Sequence, residues 1–332
     1  MTTGNASTGQ MLPRSGHFFA WAGRQREAVL VVFIFVGCVA LTIATPDFLT
    51  EANLKAILLG MADTGIIAVG MTILLVSGGF DLSVGSVLAL SGIVAGRLLV
   101  AGTSAPIAVL AGLAAGAAVG LVNGLFVAKL GINPLIQTLG MMGVIRGVVY
   151  LLGGGFGVAG LSKPFTSIGQ SSFFGLGSPI WIMVVTLVLG DFWLRRGRVL
   201  RQMYYIGGNE KAARLAGIRV VRLKMGAYVL SGFMAALAGI VLTSRFGSAS
   251  VSAGTGAELT VIAAVVIGGA SLTGGAGTVA GAALGVLLLQ LINNALNLLG
   301  VGPNWQGIAI GTVLIVAVAT DAVIVRLKEQ RS

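Results

Sequence analysis

Apolar residues along this chain come in long, nearly unbroken runs, separated by short polar stretches. Runs of about twenty such residues have the length of a membrane-crossing helix. The first occupies residues 28–44 and stops at Thr45-Pro46-Asp47. The second, about 54–76, contains Asp63 and ends in a Gly-rich turn, SGGFDLSVGS, at 77–86. A third reaches about 101 and a fourth covers about 106–128. The fifth starts at Asn133-Pro134 and passes through Arg146 to about 152. After a Gly-, Ser- and Phe-rich segment at 153–178, a short sixth run covers 179–194 and a seventh covers 225–244. The eighth opens at Glu258 and breaks at GGASLTGGAG, residues 268–277. The ninth ends near Asn297, and the tenth follows Pro303-Asn304-Trp305. The pattern predicts an all-α polytopic membrane protein with about ten transmembrane helices.

One polar stretch interrupts it, LRRGRVLRQMYYIGGNEKAARLAGIRVVRLK at 194–224. It carries Arg195, Arg196, Arg198, Arg201, Lys211, Arg214, Arg219, Arg222 and Lys224 against a single acid, Glu210. A short loop with that bias stays on the cytoplasmic side. Within it, Gly207-Gly208-Asn209 reads as a breaker and helix start, with Asn209 as cap and Gly217 as the left-handed stop. Ala212, Ala213, Leu215 and Ala216 give the short helix a small, mildly apolar face. An amphipathic connector resting on anionic lipid is the alternative to a partner-docking element.

Composition agrees with the pattern: 56% hydrophobic, 9% charged, mean hydropathy +0.99. Soluble domains carry about a quarter charged residues. The net charge of +11 follows from the positive-inside bias rather than from nucleic-acid binding. Of the 21 Lys and Arg, all but Lys55, Arg97, Arg146, Lys163 and Arg245 fall in predicted cytoplasmic segments. Residues 1–27 are therefore expected to be a cytoplasmic tail, 28–325 a transmembrane domain containing the 194–224 loop, and 326–332 a second cytoplasmic tail. The single Cys38 and single His17 leave no disulfide framework and no Cys or His metal site.

Gly112, Gly116, Gly120 and Gly124 form a smooth stripe that lets another helix approach closely, and Gly277, Gly281 and Gly285 form a second. A stripe in each half, with the two breaks GGFDLSVG and GGASLTGG, points to an internal duplication and a transport path. Asp81 in the first break either lines that path or caps the next helix through the amides of Ser83 and Val84. Asp63 is costly at the bilayer centre and should face protein or water. Arg146 and Glu258 read as packing or external-edge groups, with a pore role as the alternative. GFGVAG at 155–160 matches GxGxxG without a preceding strand, no phosphate loop occurs, and no paired carboxylates or Ser/His/Asp set suggests hydrolysis.

Four segments in order, SGGFDLSVGSVLALSG (77–92), NPLIQTLGMMGVIRG (133–147), YYIGGNEKAARLAGI (204–218) and GTGAELTVIAAVVIGGASLTGGAGTVAGA (254–282), resemble the permease subunits of bacterial ATP-binding-cassette monosaccharide importers, the ribose/xylose class. The resemblance covers nearly all of residues 50–322. It implies the ABC importer permease fold in the inner (plasma) membrane of a bacterium, with both termini cytoplasmic. Gly208, Asn209, Glu210, Ala212, Ala213, Arg214, Leu215 and Gly217 would then form the coupling helix that docks on a cytoplasmic ATPase. Val220-Val221-Arg222 stands where other importer classes carry a Pro-containing segment. Residues 153–178 and 247–257 would receive a periplasmic or lipid-anchored sugar-binding protein. A second permease copy or paralogue completes the path, lipid surrounds it, and nucleic acid is not a partner. The path or gate residues would be Asp63, Asp81, Ser83, Asn133 and Glu258. The chain would hold no cofactor and perform no chemistry, ATP being used by the partner subunit.

Permeases for autoinducer-2, inositol or nucleosides are the nearest rivals, and the apolar spans do not separate them. An ATP-independent secondary transporter would need deep ion-coupling carboxylates, for which Asp63 is the sole good candidate. A membrane enzyme would need clustered acids or His at one face, and none is present.

Overall fold

In the computed structural model, residues 15–302 and scattered positions between 305 and 315 are described, with side chains from residue 27 onward. Most of the tenth run, the closing Arg326, Lys328 and Arg331, and residues 1–14 lie outside the described residues. The helices are α1 (Ser15–Ala44), α2 (Glu51–Gly60), α3 (Ala62–Val76), α4 (Val84–Val100), α5 (Ala105–Gly124), α6 (Pro134–Gly153), α7 (Lys163–Gln170), α8 (Ser178–Arg196), α9 (Gln202–Gly208), α10 (Glu210–Leu215), α11 (Val220–Phe246), α12 (Ala257–Ile267) and α13 (Val279–Leu298). A π-helical turn, Leu125–Lys129, extends α5, and a small hairpin pairs β1 (Ser172–Phe173) with β2 (Leu176–Gly177). Among the described residues, seven helical segments are long and apolar enough to cross a membrane, and α4 and α12 are shorter apolar helices.

Helix α11 is the central post, and its own sequence explains why. Small residues recur along it: Ser231, Gly232, Ala235, Ala236, Ala238 and Gly239 are all buried. In lipid no hydrophobic force drives helices together, so close backbone approach and interhelical hydrogen bonds must do so. The predicted stripe on α5 meets this surface. A Cβ on Gly116 would strike Gly232 O, one on Gly120 would strike Tyr228 O, and one on Gly124 would strike the Met225 backbone. On other sides Gly239 abuts Leu88 O of α4, and Gly70 of α3 abuts the Ser231 backbone. The second stripe works similarly, with Gly281 against Gly268 O and Gly285 against Ala264 O of α12. Gly277 is not part of that stripe; it lies in the break before α13 with φ +138°.

The boundaries differ from the expected runs in identifiable places. The first helix begins at Ser15, so part of the polar stretch read as tail continues it. The second run is two helices, because Thr50 caps α2 through Asn53 N and the chain turns at Met61 before α3. Within the basic loop an extra helix, α9, precedes the expected one. The segment 153–178 contains α7 and the hairpin, in keeping with its partly helical reading.

Four of the five Lys and Arg residues outside the predicted cytoplasmic segments have local side-chain partners. Arg97 donates to Leu152 O (2.5 Å), Arg146 to Val251 O and Ala253 O (both 2.9 Å), and Arg245 to Leu59 O (3.2 Å). Lys55 pairs with Glu51 one turn away. The three arginines thus satisfy carbonyls in the last turns of α2 and α6, where helix termini leave acceptors unpaired, and in the non-helical segment before α12. The antiparallel bridge between Val158 and Ala249 ties the same region together.

Candidate functional site: a basic loop beneath two glycine-rich breaks

The loop leaves α8 at Gly197, forms α9, turns at Asn209 and forms α10. Asn209 is extended (φ −159°, ψ 100°) and its side chain accepts from Ala212 N at 3.0 Å, as a capping residue should. Gly217 takes φ +81°, the left-handed stop expected after the helix. Glu210 is gripped by two cations: Arg214 Nη2 lies 2.6 Å from Oε1 and Lys224 Nζ 2.5 Å from Oε2. Burial alone would raise the Glu210 carboxyl, but hydrogen bonds from Lys224 and Arg214 outweigh it and hold it below the usual carboxylate range. The clamp joins α10 to the start of α11.

The small apolar face expected of α10 is split. Ala213 points inward, 4% exposed, and packs with Met203, Ile206, Leu194 and Val220. Ala212, Arg214, Ala216 and Gly217 are exposed, as is Gly208 at the end of α9. Leu215 is 90% exposed and Tyr205 60%.

The first break, residues 77–83, is closed around Asp81, which is 0% exposed. Its Oδ1 accepts from Ser83 N (3.0 Å) and Ser83 Oγ (2.5 Å), and Oδ2 accepts from Ser231 Oγ of α11 (3.0 Å). Asn123 of α5 donates to Ser83 Oγ (3.0 Å), and Gln137 of α6 donates to Asn123 Oδ1 (3.4 Å). Beside them Tyr228 OH donates to Phe80 O, and Leu82 N donates to Thr138 Oγ1. Asp81 accepts from the Ser83 amide as the cap alternative expected but not from Val84, and the N-cap position of α4 is Ser83, so the carboxylate closes the turn before the helix rather than capping it. It also ties the break to α11, a role that local spacing does not contain. Asn123, Gln137, Thr138, Tyr228 and Ser231 were missed; the visible signal was polar residues on otherwise apolar helices.

The other path candidates do not gather around Asp81, apart from Ser83. Asn133 is exposed and caps α6 through Leu135 N at 2.9 Å. Asp63 lies half-buried in the first turn of α3. Glu258 opens α12, with its carboxylate against Gly85 in the first turn of α4. Arg146, its neighbour in charge, is occupied by the carbonyls of the 247–257 segment.

The second break, residues 268–278, lies at the same end as the first. Gly275 N donates to Val76 O at 2.9 Å, and Tyr204 OH of α9 donates to Gly277 O at 2.7 Å. The loop and both breaks thus form one contiguous structure.

Residues 53–318 match a family model described as "Branched-chain amino acid transport system / permease component". The L-arabinose transport system permease protein AraH of Escherichia coli (strain K12) is 41% identical over 318 residues, covering 95% of this chain and 96% of that protein. The ribose import permease protein RbsC of the same organism is 41% identical over 317 residues, 91% of this chain and 94% of the relative. The ribose import permease protein RbsC of Bacillus subtilis (strain 168) is 41% identical over 290 residues, 87% and 90% respectively. The chain belongs to this transport-system permease family, as an all-α, multi-pass inner-membrane protein.

Proposed function

We propose that this chain is the membrane-spanning subunit of an ATP-driven importer of a monosaccharide of the pentose class, delivered by an extracytoplasmic binding protein. The observation that carries the reading is 41% identity, across nearly the whole of both chains, to permeases named for L-arabinose and ribose. Those relatives place the likeness along the entire fold rather than in one motif. The basic loop faces the cytoplasm, both termini lie on that side, and a separate ATPase subunit docks on α10. Leu215 and Ala212 offer the exposed apolar contact, and the Glu210 clamp keeps α10 from sliding on α11. The end carrying α7, the hairpin and residues 247–257 receives the binding protein.

The permease itself performs no chemistry. ATP binding and hydrolysis in the partner move α10, and the path between two permease copies opens alternately to either side. Sugar passes through weak polar contacts, and selectivity resides mainly in the binding protein.

Affinity purification of the tagged chain in mild detergent from its native membrane tests this reading. Co-purification of an ATPase and a binding protein, and ATP-dependent pentose uptake by the reconstituted complex, are expected. Uptake by the chain alone under an ion gradient without ATP would overturn it. Leu215→Glu is expected to abolish ATPase recovery while leaving the folded permease in the membrane.

A further inference from the structure

The last turn of α9 lies where the two Gly-rich breaks meet, and the contact is made by backbone alone. A Cβ on Gly207 would strike Val76 O, Gly275 N and the Gly274 carbonyl carbon. A Cβ on Gly274 would lie 2.9 Å from Gly207 Cα and 3.0 Å from Gly78 Cα, and one on Gly275 would lie 3.0 Å from Gly208 N. Gly78, Gly274 and Gly275 also hold φ values of +77°, +90° and +76°, which side chains rarely adopt. Three segments distant in sequence therefore touch with no rotatable group between them. A side-chain contact can absorb a displacement by changing rotamer; a backbone contact transmits it, because repulsion rises steeply within a few tenths of an ångström.

Contact can only push. The hydrogen bonds Tyr204 OH to Gly277 O and Gly275 N to Val76 O supply the opposing pull, resisting separation of α9 from the second break and of the second break from the first. Burial raises the Tyr204 hydroxyl to about 12, so it keeps its donor proton at neutral pH. Met203 and Ile206 anchor α9 among Val69, Ile73, Leu74 and Val76 of α3, while Asn209 joins it directly to α10.

We propose that the junction of Gly78, Gly207, Gly274 and Gly275, held closed by Tyr204, transmits movement of the basic loop to both Gly-rich breaks together. This rests on the importer reading, and it assigns positioning roles to residues outside the docking surface. The first break carries the movement to α4, α5, α6 and α11 through the Asp81 cluster. The second carries it to α8 and α1, where Ala280 N donates to Asp191 Oδ1 and Thr278 Oγ1 to Glu27 Oε1.

The test uses the complete importer, with ATPase and binding protein, reconstituted in liposomes, and reads ATP hydrolysed per sugar imported. Gly207→Ala is expected to raise that ratio at least ~10-fold, in the range of an intersite coupling. Tyr204→Phe, which removes one hydrogen bond without a clash, is expected to raise it about fivefold. Gly226→Ala, whose Cβ meets nothing within 4 Å, is the control and should leave it unchanged. Assembled Gly207→Ala complex with an unaltered ratio and melting temperature would overturn the junction. If Gly207→Ala fails to assemble, Tyr204→Phe decides: a raised ratio supports the junction and an unchanged one rejects it. A wild-type complex that imports nothing with ATP overturns the importer reading and this inference with it.

Discussion

The two Gly-rich breaks read alike in the sequence and end up side by side, yet they are held in different ways. Break one is buried and locked by a side chain: Asp81 collects donors from its own turn and from α11, and the shell around it reaches α5 and α6. Break two is half-exposed, with Thr273 at the surface. It is held by backbone and rim contacts such as Ser271 N to Ala276 O and Ser271 Oγ with Thr273 Oγ1. A buried carboxylate with several donors has no cheap alternative arrangement, because each donor left behind in an apolar interior loses its partner. Hydrogen bonds at a rim can be exchanged for water. Break one is thus the internally rigid side of the pair, able to move only as a unit with its neighbours, and break two the more deformable side.

Substitutions should separate them on a descending scale. Asp81→Ala strands the Ser83 and Ser231 hydroxyls and the Ser83 amide, and should destabilise the protein by about 3 kcal/mol or more, seen as a large fall in melting temperature in detergent. An unchanged melting temperature would erase the distinction between the breaks. Thr278→Val removes the hydroxyl that accepts from Gly281 N and donates to Glu27, and should cost about 1 kcal/mol, a typical capping loss.

Glu210→Gln tests the loop beneath both breaks. Its ion pairs are partly exposed, so the loss should stay below about 1 kcal/mol. The same clamp gives a pH signature. Because the folded carboxyl titrates below its ordinary value of 4.5, its contribution is complete at neutral pH. It is lost as the pH falls through 4.5 and on through the lowered folded value, and Glu210→Gln should abolish that part of the acid sensitivity. Ser271→Ala should have the smallest effect, within about 0.5 kcal/mol, since water replaces the lost partner.

Much of this architecture was legible from local rules. The α5 glycine stripe, the Asn209 cap, the Gly217 stop and both breaks stand where spacing put them. Helix α9 was not legible, because QMYYIGG ends in two glycines and looks like a continuation of the breaker. Its formation depends on Met203 and Ile206 finding α3. The inward turn of Ala213 was equally hidden, since a six-residue helix has too few positions for its buried face to be read from periodicity.

By itself the sequence determined the helical spans, their punctuation and the sidedness of charge. In lipid a chain of apolar residues can satisfy its backbone only within its own helix, and caps and stops act over three or four residues. Only the tertiary structure decided what meets across the molecule. Ser231 is 150 residues from Asp81, and Asn123 is 40 residues from Ser83. Gly207 touches both breaks only because Val76 and Gly275 lie together in the fold. Such partners follow from how closely glycine-faced helices pack, and close packing is a property of surfaces in three dimensions that no local spacing encodes.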